Sequence, residues 1–407
     1  MTTSSINTIN ASKRIEVIDA LRGFALMGIC LVHCMEYFSL YWVNPDPTAL
    51  HKLVFFLFAA KSYAIFALMF GLSFFIIMDS QARKGVDFTY RFAWRLIILL
   101  AFGCIHTMFF ISDILQILGI IGLTLLFVYR LNTRWLAFVA TLLVLQLPLF
   151  YKFYAAINNF DGANDPLTFA AKYTRAQEVF VNGSLIDIMK FNAWEGTLAK
   201  WTLMKESGRG FLLAGLFMWG LILGRIGFFT HLEKFARARI IGLGIALVAS
   251  AVFYGINKYL YNLPNDAFQS ASMAKWYLMK IIDTYLCMAM MTATILLFIQ
   301  FYLWQITGRV LHLLAPCGKV SLSVYLAQSL ICIPIFYPFG LGWYETIGQT
   351  KSLLLGIAVY AFLVAAAHWW TKRFYYGPVE WVWRCATFMT LDVPFKKRQM
   401  VPALSAS

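Results

Sequence analysis

RIEVIDALRGFALMGICLVHCMEY, running from Arg14 to Tyr37, is the stretch that decides how this chain is read. It has the length and apolar content of a membrane-spanning helix, yet it carries Asp19, Arg22, His33 and Glu36. At about 100° per residue, Asp19, Arg22, Leu26, Ile29, His33 and Glu36 fall in one helical stripe roughly 100° wide. Ionisable groups at membrane depth are costly and persist mostly where they face a bundle interior or a wet cavity. The helix therefore reads as one wall of a functional site, with the rest of the chain supplying the others.

Composition sets the class. Of 407 residues, 61% are hydrophobic and 13% charged, and the mean hydropathy is +0.70. A soluble domain carries about 25% charged residues. Long apolar runs predict an all-α polytopic membrane protein with about ten spans, near 17–38, 53–78, 92–111, 113–130, 135–152, 209–228, 238–258, 281–304, 317–337 and 351–371. The short alternating segments of a membrane β-barrel are missing. The net charge of +15 does not indicate nucleic acid, because excess Lys and Arg decorate the cytoplasmic loops of membrane proteins. Arg83, Lys84, Arg91, Arg95, Arg130, Arg134, Arg309, Lys319, Lys372 and Arg373 fall on one side of this pattern, which predicts both termini in the cytoplasm.

The expected organisation is a polar, mobile tail over 1–12, a single helical domain over 13–390, and a cytoplasmic tail over 391–407. Within the domain, 153–208 is a long external loop with short amphipathic helices around Tyr173–Glu178 and Leu185–Lys190, and 225–390 is a C-terminal region. The first apolar segment is interrupted by Arg22 and has no small-residue cleavage site, so it reads as a retained anchor. The seven cysteines show no metal or redox spacing, and no metal-ligand set, phosphate loop or dinucleotide fingerprint is present.

Arg22 and His33 share a helix face, one near each end of the span. Arg offers a permanently charged fork for phosphate or carboxylate, and His exchanges a proton near neutral pH. Their plainer readings are an Arg22–Asp19 ion pair and a hydrogen-bonded structural histidine. Lys61, in the second span, reads as pointing inward toward Glu36, Asp113 or a substrate anion. His51 lies at the outer surface, as a second acid/base group or an interfacial residue. Asp113 and Gln116 open the fourth span, and His106 and Gln328 are further inward candidates or helix–helix hydrogen bonds. His368 with Trp369 and Trp370 reads as an interfacial belt.

Arg14 to Gly23 followed by His33, Lys61-Ser62-Tyr63 running into Leu68-Met69-Phe70-Gly71, Leu223 to Gly227, Gly318 to Ser329, and Gly377 to Arg384 together resemble the YeiB family of bacterial membrane proteins. The first helix is also similar to that of the integral-membrane polysaccharide O-acetyltransferases, through an Arg and a His separated by ten residues. It is similar, through Asp19-x-x-Arg22-Gly23, to heparan-α-glucosaminide N-acetyltransferase, whose histidine follows the first span, where His51 sits here. These resemblances imply a ten-helix fold that moves an acyl group, chiefly acetyl, from cytosolic acyl-CoA to an acceptor across the bacterial cytoplasmic (inner) membrane. They imply an acyl-CoA donor without a metal, and an envelope glycan or lipid-linked sugar as acceptor.

On that reading His33 is the base or acyl carrier, Glu36 orients it, and Lys61 stabilises the oxyanion. Arg22, with Asp19 and Arg91 or Arg95, binds the donor, and the acceptor sits under the 153–208 loop near His51, Asp113 and Gln328. The alternative is a transporter or flippase for a small anion or lipid that uses the same intramembrane charges. The partners expected are the lipid bilayer and the acceptor, with no nucleic acid; a homo-oligomer is left open.

Overall fold

A computed structural model describes residues 3–43, 45–164, 168–264 and 273–397. Side chains are described from Glu16 onward, except those of residues 168–171 and of Tyr173, the first residue of the first expected loop helix. Residues 1–2 and 398–407 of the expected tails lie outside the described residues.

Helices are the regular structure of the described residues, apart from one isolated bridge between Phe374 and Lys396. The helices are α1 (Thr3–Met35), α2 (Ala49–Phe58), α3 (Lys61–Ala82), α4 (Thr89–Phe109), α5 (Leu115–Val128), α6 (Thr133–Val144), α7 (Leu147–Ile157), α8 (Thr168–Asn182) and α9 (Leu185–Phe191). After a π turn at Asn192–Gly196 follow α10 (Thr197–Glu206), α11 (Arg209–Arg225), α12 (Ala236–Asn262), α13 (Ala274–Leu303), α14 (Gln305–His312), α15 (Ala315–Lys319), α16 (Ser321–Phe336), α17 (Gly348–Arg373) and α18 (Pro378–Phe388).

Seven segments are long and apolar enough to cross a bilayer: Glu16–Met35, Ala49–Ala82, Thr89–Phe109, Thr133–Ile157, Ala236–Asn262, Ala274–Leu303 and Gly348–Arg373. Leu185–Glu206 with Arg209–Arg225 makes an eighth if that pair, bent by 73°, is one broken span. The apolar α5 and α16 are shorter than the roughly 20 residues a crossing needs. These segments together occupy the ten places expected; by length and composition the count is seven or eight.

Position in the bundle differs sharply between helices. The apolar window of α1 is 78% buried, that of α12 only 6%. α1 is thus the central helix, packed against α3, α13, α15, α16 and α17, while α12 meets the bundle through α13 and turns the rest of its surface outward. That is why α1 can hold charges and α12 is apolar nearly all round.

Local chemistry sets the breaks. Thr48 caps α2 by accepting from the His51 N–H, and Asn132 caps α6 by accepting from the Trp135 N–H. Ala60 takes φ 63° and Gln146 φ 60°, left-handed conformations that interrupt the segments 49–82 and 133–157.

Close backbone approaches need glycine, as at Gly71 and Gly318. A Cβ on Gly71 would stand 1.9 Å from the Phe217 carbonyl, and one on Gly318 1.8 Å from that of Asp19. The first lets α3 lie on α11; the second presses α15 onto α1 beside Arg22. Because the obstacle at Gly318 is backbone, Gly318→Ala is expected to cost about 1–3 kcal/mol. A thermal unfolding midpoint in detergent equal to that of the wild-type protein would show that α15 can shift freely.

Candidate functional site

Two cavities lie along α1. One, of about 300 Å³, is lined by His33, Glu36, Tyr63, Asp113, Lys200 and Arg209 among others. The second, of about 260 Å³, is lined by Arg22, Ser73, Arg95, Lys319, Glu380 and Trp383 among others. Arg22 and His33 stand eleven positions apart, which is about 16 Å along a helix. Tyr325 of α16 lines both cavities, and its hydroxyl accepts the Ile114 N–H at 3.2 Å. It is the partition between them.

The His33 cavity is built on an aromatic layer. Phe110 follows α4 and Phe38 follows α1; their rings lie 4.9 Å apart, with Phe336 of α16 against Phe38 at 6.4 Å. Such pairs contribute about 0.5–1.5 kcal/mol each beyond area burial. The layer orients His33, whose ring lies 5.0 Å from Phe110, 5.6 Å from Tyr37 and 5.7 Å from Phe38. No hydrogen bond holds the His33 ring nitrogens among the described residues, so the imidazole is placed by packing and its nitrogens remain free for a ligand.

Asp113 is fully buried. Its Oδ1 lies 2.7 Å from His106 Nδ1, and its Oδ2 accepts the Gln116 N–H at 3.0 Å. The turn at 110–114 between α4 and α5 brings the two residues together. Asp113 lines the same cavity as His33. The Tyr63 hydroxyl is buried in the same region with no hydrogen-bond partner among the described residues.

The Arg22 cavity is basic. Arg22 donates from Nη1 to Asp19 at 2.9 Å and from Nη2 to the Ser73 hydroxyl at 2.8 Å, so it is both ion-paired and part of the cavity wall. The Arg95 guanidinium lies 3.7 Å from the centre of the Trp383 ring, and the Trp383 indole N–H donates to the Arg95 carbonyl at 2.9 Å. Glu380 of α18 accepts the N–H groups of Leu322 and Ser323 at 2.7 and 3.1 Å and also the Ser323 hydroxyl. It caps the N-terminus of α16 from another helix and thereby fixes Tyr325 one turn further on.

Other candidates lie elsewhere. Lys61 opens α3 just after the Ala60 break; its Nζ donates to the Phe55 carbonyl at 3.2 Å and lies 5.7 Å from the Phe56 ring centre. It ties off the end of α2 and is not among the residues lining the His33 cavity. His51 is held between the rings of Tyr41 and Phe55, at 4.3 and 4.0 Å, outside that cavity. Gln328 is buried and donates to the Leu26 carbonyl at 3.2 Å, a helix–helix bond. Arg91 is exposed, 5.7 Å from the Phe388 ring centre. Gln116 donates to Cys104 Sγ, and His368 Nδ1 lies by the Val364 carbonyl.

Several lining residues escaped the sequence reading. Lys200 sits in α10, within the stretch read as an external loop, and Arg209 starts α11. Tyr325 and Glu380 stand inside the motifs of the resemblance, the only signal that pointed to them, and Lys319 stands both in such a motif and in the one-sided pattern of basic residues. No group of three or more His, Cys, Asp or Glu side chains suited to a metal occurs among the described residues.

The chain matches two family models. The catalytic region of heparan-alpha-glucosaminide N-acetyltransferase matches over residues 14–166, and a protein of unknown function, DUF418, over residues 223–390. YxaH of Bacillus subtilis is 27% identical, covering 98% of this chain and all of that protein. A 39.9 kDa protein from the amylase 3′ region of Bacillus acidopullulyticus is 23% identical, over 94% of this chain and 96% of that one. YeiB of Escherichia coli is 35% identical over 74 residues, 18% of this chain and 19% of that protein. No solved structure matches. The catalytic-region model covers Arg22, His33 and Asp113, and the DUF418 model covers Tyr325 and Glu380; the chain is an integral membrane protein that is similar over its N-terminal part to the heparan-α-glucosaminide N-acetyltransferase-like acyltransferases and over its C-terminal part to DUF418 proteins, with a stretch shared with YeiB.

Proposed function

We propose that the protein transfers an acyl group, chiefly acetyl, from cytosolic acyl-CoA to a glycan or lipid-linked sugar on the outer side of the bacterial inner membrane. The observation that carries this reading is the pair of cavities along α1, basic at Arg22 and holding a free imidazole at His33, with Tyr325 between them. The positive-inside pattern puts the Arg22 cavity toward the cytoplasm. Arg22, Arg95 and Lys319 fit the phosphates of the donor. A space of about 260 Å³ suits a narrow arm entering from that rim, and the 16 Å along α1 suits an arm that presents its thioester beyond Tyr325.

In the His33 cavity that imidazole takes the proton of an acceptor hydroxyl or amine as the acceptor oxygen or nitrogen bonds to the thioester carbonyl carbon. The Tyr63 hydroxyl, buried and without a hydrogen-bond partner among the described residues, donates to the developing oxyanion in place of Lys61, whose ammonium is bonded to the Phe55 carbonyl. The C–S bond then breaks, the acyl group stays on the acceptor, and the thiolate leaves as CoA after taking a proton.

The test is acetyl transfer from labelled acetyl-CoA to envelope glycans by membranes carrying the protein. Arg22→Ala is expected to raise the apparent KM for acetyl-CoA about tenfold, the loss of one charge-assisted contact. Unchanged transfer in both Arg22→Ala and His33→Ala would sink the mechanism. Two cavities meeting at a partition would also serve transport, so uptake of an anion or lipid into proteoliposomes lacking acyl-CoA would favour that alternative.

A further inference from the structure

The His33 cavity contains two cations that no carboxylate in it pairs with directly. Lys200 is only 3% exposed. Its one side-chain hydrogen bond among the described residues goes to the neutral Thr107 hydroxyl at 2.9 Å. An ammonium has three donors, and a buried charge is ordinarily paired. Arg209 is exposed at the cavity wall. Neither residue belongs to an ion pair among the described residues. The fully buried carboxylate of that wall, Asp113, is already engaged by His106 and the Gln116 N–H. Glu36, which lines the same cavity, forms no ion pair with either cation among the described residues.

The backbone brings the two cations together. Lys200 and Arg209 are nine positions apart, which on a straight helix puts them on opposite faces. The 73° bend between α10 and α11, at Ser207 and Gly208 with φ 70° at the glycine, turns both into one cavity.

We propose that this cavity binds an anionic group of the acceptor, a phosphate or a carboxylate, with Lys200 donating from within and the Arg209 fork closing on it from the wall. The inference rests on the cavity being the acceptor site and adds the acceptor's chemical class: a phosphorylated or acidic sugar rather than a neutral one.

Thermal unfolding of the full-length protein in detergent, without any acyl donor, provides the test, with glucose 1-phosphate, glucuronate and glucose as probes. Glucose 1-phosphate or glucuronate is expected to raise the midpoint with concentration, and glucose to leave it unchanged. A response to the phosphate alone would identify a phosphorylated acceptor, and a response to glucuronate alone an acidic sugar. Lys200→Gln and Arg209→Gln are each expected to weaken the apparent affinity by about tenfold or more. Lys205→Gln, exposed on the same helix, should keep it. Equal stabilisation by glucose, no response to either anion, or wild-type affinity in the folded Arg209→Gln protein would overturn the proposal. Anion binding without acetyl transfer would strike down the transferase reading alone. Transfer to neutral acceptors without anion binding would strike down this one alone.

Discussion

Replacing His33 with alanine is expected to remove acyl transfer and leave the bundle folded. The loss of a positioned general base lowers turnover by about 10²–10⁴, which is roughly 3–5 kcal/mol of barrier. The structural cost is smaller. The His33 ring has no hydrogen bond to lose among the described residues, and its ring contacts with Phe110, Tyr37 and Phe38 are worth about 1 kcal/mol each. Two measurements separate the effects: release of CoA from acetyl-CoA in the presence of acceptor, and the unfolding midpoint in detergent. A folded His33→Ala protein with wild-type turnover would rule His33 out. His106→Ala is the necessary partner experiment. Because His106 lies against Asp113, an Asp–His pair is a rival base beside the same cavity. Loss of turnover in His106→Ala with full turnover in His33→Ala would transfer the role to that pair.

Removing the Asp113 carboxylate should produce the largest loss of stability. Asp113 is buried to the last square ångström, and it receives both the His106 ring and the Gln116 N–H. Asp113→Ala strands both groups where water does not reach, and breaking a buried pair of this kind costs about 3–5 kcal/mol. The start of α5 loses its side-chain acceptor in the same step. Asp113→Asn keeps an oxygen for the Gln116 N–H and is expected to recover part of that loss, on the order of 1–2 kcal/mol. Turnover should fall in both variants, since Asp113 lines the His33 cavity. The unfolding midpoint gives the first quantity and CoA release the second. Equal midpoints for Asp113→Ala and the wild-type protein would mean that water satisfies His106 and Gln116, and that the pair carries no structural weight.

The class of the fold and the importance of its first helix follow from sequence alone. Apolar runs of bilayer length require helices, because the backbone has no other way to satisfy its polar groups in hydrocarbon. Four ionisable groups on one stripe of such a helix must face inward, and α1 is indeed the buried centre of the bundle, with Arg22 in one cavity and His33 and Glu36 in the other. Periodicity reports the face of a single helix, and that is as far as it reaches.

Everything that depends on a turn or on a second helix was settled only by tertiary structure. Lys61 is on an apolar run and looked inward, but the left-handed Ala60 breaks the run just before it and turns its ammonium onto the Phe55 carbonyl. Lys200 lay in a polar stretch that hydropathy assigns to the outside, and the bend before Arg209 folds it into the cavity. Glu380 looked like a motif residue without a task until α18 carried it to the N-terminus of α16. Tyr325 became a partition only once α16 stood between the two ends of α1. Local sequence sets which groups a helix must hide; the packing of helices distant in the chain decides which of them meet.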